Sequence, residues 1–132
     1  KAVIDLFDCL CDWFKLLKDN DIGLSETFDI DIMMKCFDII CEVDHHVLLG
    51  LLFNFLHLYL RLFLPVESFL AKLVGDRILD GWFYRFFLHW DFKIRTTFFQ
   101  ILVYHVCDIG MITLSFHHLT IAFIISVCFL LW

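Results

Sequence analysis

Inside "NFLHLYLRLFLP", residues 54–65, Asn54, His57 and Arg61 recur at three- and four-residue steps in an otherwise apolar run. On a helix, that spacing sets an amide, an imidazole and a guanidinium on one face. His46 and Gly50 extend the stripe backwards. A second apolar run, "TFFQILVYHVCDIGMITLSF" (97–116), carries Gln100, Tyr104, Asp108, Met111, Ser115 and His118 at similar steps, with His105 beside them. If the two runs pack antiparallel, a rise of about 1.5 Å per residue matches their depths. Arg61 then lies level with Gln100, His57 with Tyr104 and His105, and Asn54 with Asp108.

Three chemistries are open to such a polar seam. The default is structural: the side chains satisfy one another and fix helix pairing, each hydrogen bond contributing about 0.6–2 kcal/mol. The second is a haem b or quinone site with His57 and His105 as ligands, because bis-histidine ligation uses facing imidazoles at one depth. The third is a proton path relayed by His57, Asp108 and Arg61, since ionisable groups held in apolar surroundings mark such routes.

The elements that must hold the seam follow from composition. The 132 residues are 61% hydrophobic and 20% charged, with a mean hydropathy of +0.83. Ordinary soluble domains are about 45–50% apolar, and so short a chain has too much surface to bury the excess itself. Lipid and a large partner assembly are the neighbours this implies. Seventeen Phe against five Gly and one Pro suggest T-rich coding, as in organelle-encoded membrane proteins. Lipid-facing helices favour Phe and Leu in any genome, so both explanations stand.

Expected, then, is an all-α integral membrane protein. Residues 1–44 hold most of the acidic charge and read as an amphipathic helical pair outside the bilayer. Asp5, Asp8, Asp12 and Lys15 mark the solvated stripe of the first helix; Asp31, Lys35, Asp38 and Glu42 mark that of the second, roughly 28–43. Asn20, Asp21 and Gly23 form the turn between them. The membrane region is 45–132: spans at 46–64 and 97–116, an interfacial segment at 65–96 and an apolar tail at 119–132. That makes two spans, or three if the tail also crosses. Pro65 ends or kinks the first span. "VESFLAKLVGDRILDG" reads as a short amphipathic helix closed by Gly81, and the aromatic, Arg-containing 82–95 stretch suits the headgroup level. The bases of 65–96 against the acidic N-terminal segment place those two parts on opposite membrane sides.

Two fragments resemble known families. "YHVCDIG" is similar to the haem-ligand stretch of succinate dehydrogenase membrane anchors, implying a haem or quinone role for His105. Its Gly is displaced by one, and the upstream Ser/His/Arg quinone motif is missing. "LRLF" at Leu60–Phe63 resembles the essential-arginine helix of the ATP synthase a subunit, implying a proton-path role for Arg61. The Asn and Gly-His that normally follow are absent, and the chain is assigned to neither family.

No Cys or His spacing suits a metal site, and no phosphate-binding glycine loop or nucleophile elbow occurs. A net charge of −6 argues against nucleic acid. The sequence therefore reads as a small membrane subunit, structural and not an enzyme by itself. Its partners would be the other subunits of a respiratory or similar energy-transducing complex, with the mitochondrial inner membrane as its place.

Overall fold

The computed structural model describes residues 1–25 and 27–106, and every regular element among them is helical. The chain is all-α. Helix α1 (Ala2–Asp19) turns Phe7 and Phe14 inwards, one heptad apart, and leaves Asp5, Asp8 and Asp12 exposed. The following turn passes through Asp21 at φ 53°, a left-handed conformation that Asp tolerates because its short side chain bonds locally. Helix α2 (Ile30–Val43) starts at Asp29, whose carboxylate accepts from the Ile32 amide at 3.1 Å. It stops at Asp44, again left-handed.

Helix α3 (His46–Tyr59) continues as a three-ten turn, Leu60–Phe63, that finishes before Pro65. Phe53 and Phe55 are both fully buried, yet residues two apart on a helix point to different sides. Each therefore needs its own cover. Phe55 meets Phe14 at 4.8 Å between ring centroids, Phe7 at 6.2 Å and Phe37 at 6.3 Å, which seats α1 and α2 on one flank. Phe53 meets Phe86 at 4.9 Å and Phe98 at 5.3 Å on the other.

Phe86 and Phe98 come from the second half of the described chain. Helix α4 (Glu67–Leu70) runs on as a π-wound stretch, Ala71–Trp82, into α5 (Phe83–Phe87), making one rod over 67–87. Buried pairs Leu73/Val74, Ile78/Leu79 and Trp82/Phe83 recur at steps of five and then four. The helix does not close at Gly81, as expected from sequence, but winds through it. By sequence 65–96 is an interfacial segment; here its inner face belongs to the same core as α3.

The rod also carries the bases that match α2. Lys72 Nζ donates to Asp31 at 3.0 Å, Arg77 holds both Asp38 oxygens at 2.8 Å, and Asp44 receives Arg85 at 3.8 Å. The Lys72 hydrogen bond keeps the Asp31 carboxyl below the usual carboxylate range. The acidic segment and the basic one therefore lie side by side, not on opposite sides of a membrane as the positive-inside argument places them. Loop charge sets membrane orientation when bases face water freely; three of these are engaged with acids of the same chain.

Helix α6 (Phe92–Ile101) opens at Asp91, which accepts from the Lys93 and Ile94 amides, and continues as a π turn, Leu102–Val106. It runs parallel to α3. A Cβ on Gly50 would sit 3.8 Å from Ile94, Phe53 meets Phe98, and His57 meets His105, climbing both helices together. The 67–87 rod explains this direction: it leaves α3 where Phe63 stacks on Phe69 at 4.1 Å and returns to the level of Phe53 at Phe86. The antiparallel matching of Arg61 with Gln100 is thereby replaced; the expected partner of Asn54, Asp108, lies outside the described residues.

One helix among the described residues, His46–Phe63, is long and apolar enough to cross a membrane (18 residues, mean hydropathy 1.5), and 44% of it is buried inside the protein. Of the expected second span, 97–116, the described part is the end of α6 and its π turn. Its remainder, and the 119–132 tail, lie outside the described residues.

Three outcomes follow from this core. Phe55→Ala should cost about 3–5 kcal/mol in a denaturation titration, because it empties the contact between three helices. Burial pushes the Cys41 thiol up to about 12, while Cys9 and Cys36 are exposed. At mild alkaline pH, iodoacetamide should label those two while Cys41 resists. The folded state keeps the Cys41 proton after the unfolded chain has lost it, so stability should fall as pH rises from about 9 towards 12. Cys41→Ala should flatten that slope.

Candidate functional site

The seam residues do not all converge. His57 is half-buried and His105 buried, whereas Asn54, Arg61 and Tyr104 are exposed and Gln100 is half-buried. Asp108 lies outside the described residues. The structure brings together His57, Tyr104 and His105. The His57 ring lies 5.3 Å from that of His105, nearly perpendicular at 74°, and 6.2 Å from that of Tyr104. This trio was expected from an antiparallel register and arises from a parallel one, because position 57 is the level at which the two registers coincide.

A cavity of about 380 Å³ opens beside the trio, lined by Lys18, His57, Leu58, Arg61, Leu62, Tyr104 and His105. Lys18 was not a candidate by sequence. It sits in the last turn of α1, where a cation is favoured by the helix dipole. Its ammonium donates to the Leu58 carbonyl at 3.3 Å and lies 5.9 Å from the Tyr59 ring centroid. Nearby, the Tyr59 hydroxyl donates to the Cys11 carbonyl at 3.2 Å. Both bonds join α1 to the C-terminal turn of α3, and the Lys18 bond uses a carbonyl of that last turn, where intrahelical partners run out. No local pattern within α1 signals this, since the partner groups lie about forty residues away.

Chemically the lining offers two cations, two imidazoles and a phenol. The described lining includes no Ser, Thr or Cys nucleophile. Among the described residues, no group of three or more His, Cys, Asp or Glu side chains could hold a metal ion. Rings in edge-to-face contact at this distance leave no slot between them for a macrocycle. Bis-histidine ligation needs the imidazoles on opposite faces of that plane. The His57 Nδ1 atom is buried and meets no hydrogen-bond partner among the described residues.

These features define an all-α bundle with an imidazole pair at the seam between two parallel helices. Residues 1–106 match the family described as "Protein of unknown function (DUF1765)", and the chain belongs to that family. No curated protein and no solved structure matches it.

A buried polar atom without a partner costs about 1–3 kcal/mol, and an apolar replacement of similar shape removes that cost. His57→Leu should therefore leave the thermal midpoint unchanged or raise it slightly. A fall of several degrees would mean that the imidazole is held by an interaction the fold needs.

Proposed function

We propose that this chain is a non-catalytic structural unit that packs side by side with other protein subunits in a larger assembly. The observation that carries this reading is that α1 and α2 are apolar on two faces. Their inner faces bury Phe7 and Phe14, and Met33, Phe37 and Ile40. On the outside, α1 leaves Leu6, Trp13 and Leu16 exposed, and α2 leaves Ile32, Ile39 and Val43 exposed. Leu6 to Trp13 and Ile32 to Ile39 are each seven residues, the step at which helices present a seam to another helix. A helix that needed only its own core would show one apolar stripe and a polar back.

A second form of the same role is a membrane subunit of a respiratory or other energy-transducing complex, in the mitochondrial inner membrane. It draws support from the hydropathy of His46–Phe63 and from the apolar composition of the chain. The elements around that helix bear on it, since α1, α2 and the 67–87 rod hold exposed charges such as Asp8, Glu42 and Asp80. A charge facing hydrocarbon costs about 3 kcal/mol or more, so this form requires neighbouring subunits to cover those helices. A quinone or proton-path role would add chemistry at the His57–His105 pair within that form.

Cross-linking of the intact complex in mild detergent tests the assembly reading: links to other subunits should concentrate on the outer faces of α1 and α2. The double variant Leu16→Glu, Ile39→Glu should keep its helical circular dichroism and lose at least about tenfold in partner recovery, each charge opposing burial in an apolar contact. A wild-type chain that runs as a monomer in detergent-free buffer, unaltered by those substitutions, would sink the proposal. Alkaline carbonate separates the two forms, stripping a peripheral assembly and leaving a spanning one in the membrane pellet.

A further inference from the structure

We infer that the corner between α5 and α6 is a membrane-surface docking site that takes an anionic lipid headgroup layer. The most exposed large apolar side chains of the described residues all lie here: Trp90 at 77%, Tyr84 at 75%, Leu88 at 72% and Phe92 at 65%. Tyr84 and Leu88 are four residues apart, on one helical face that continues into the turn. Trp and Tyr with Lys and Arg are the residues that a membrane–water interface concentrates, each with an apolar body and a polar tip.

Charge points to the same occupant. Residues 81–95 hold Arg85, Lys93 and Arg95 against the single acid Asp91; with Asp44 packed against Arg85 at 3.8 Å, the corner keeps a balance of +1 in a chain of −6. Asp91 is turned towards the α6 N-terminus, where it accepts from the Lys93 and Ile94 amides at 2.8 and 3.3 Å. Its charge is therefore directed at its own helix. Lys93 is exposed, and the Arg95 guanidinium lies 5.5 Å from the Phe92 ring centroid. Basic and aromatic groups thus share one surface.

The corner is also fastened from within, so the exposure is built. Phe86 is fully buried between Phe53 and Phe98. His89, two residues past the end of α5, is buried and ties the turn at both ring nitrogens. Its Nδ1 accepts from the Asp91 amide at 3.1 Å, which leaves the proton on Nε2, 3.3 Å from Asp44. Arg95 donates to the His89 carbonyl at 3.1 Å. A backbone held at these points presents Leu88, Trp90 and Phe92 outward as a rigid wedge, at the cost of leaving them wet until something apolar covers them. A headgroup layer admits such side chains to a depth of about 5–10 Å.

This inference does not rest on the assembly reading, whose surfaces are the outer faces of α1 and α2. The test is flotation of the full chain with phosphatidylcholine vesicles containing phosphatidylserine, compared with phosphatidylcholine alone. Binding should favour the anionic vesicles and weaken with salt. Leu88→Ser with Trp90→Ser should reduce it at least about tenfold, and Lys93→Ser by about fivefold, the effect of one base near an anionic surface. Both are surface changes, and unchanged circular dichroism confirms the fold. Quenching by brominated phosphatidylcholine, compared between the wild type and Trp90→Phe, places the indole in the layer even if another segment already holds the chain in the membrane. Absence of Trp90-dependent quenching overturns the inference, whether or not the double variant still floats like the wild type. So does loss of a co-purifying protein in the double variant with vesicle binding intact, which would make the corner a protein contact.

Discussion

Helix α3 is apolar on two opposed flanks at once, and the rest of the described structure answers that constraint. Phe55 and Phe53 are both fully excluded from solvent although they point away from each other. Burying one such side chain is worth about 1.5–3 kcal/mol, so neither flank can be left bare without a loss comparable to much of a small domain's net stability. The aromatic clusters around Phe14 and Phe55 on one side, and around Phe53, Phe86 and Phe98 on the other, meet this need. To reach the second flank the chain must turn back after Pro65 and then turn again. That double reversal is what makes α6 parallel to α3.

Polar contacts decide register more than strength. The pairs Asp31–Lys72, Asp38–Arg77 and Asp44–Arg85 line α2 against the 67–87 rod in order along both. Exposed ion pairs contribute little each, since water and salt screen them. The Arg77–Asp38 pair is the best formed, two charge-assisted bonds at 2.8 Å in a fork geometry that also fixes orientation. A rod slipped by one turn would separate all three pairs.

The seam at His57 has a different character. Its rings pack as a cluster would, edge to face, while the cavity beside them collects two cations from separate elements, Lys18 and Arg61. Such a site is a product of helices brought together for other reasons: α1 arrives to cover Phe55, and Lys18 arrives with it. The two-faced character of α1 and α2 belongs to the same logic, with one apolar stripe packed on α3 and a second left exposed.

The sequence by itself determined where α1, α2 and α3 lie and where they break. Period, caps and turn residues are local, and α1, α2, α3 and the stop before Pro65 fall where the apolar spacing and Asp21, Asp29 and Asp44 set them. It also determined that His57 and Tyr104–His105 could share a depth. The winding of 67–87 through Gly81 was not legible, because five-residue apolar steps read locally as an ordinary helix that ends. Direction, partners and burial were decided only in three dimensions. Whether Lys72 and Arg77 face water or acids depends on α2, some forty residues away, and whether α6 runs with α3 or against it depends on a return path no single segment encodes. Apolar runs say that a surface must be covered; which surface covers it is a property of the packed whole.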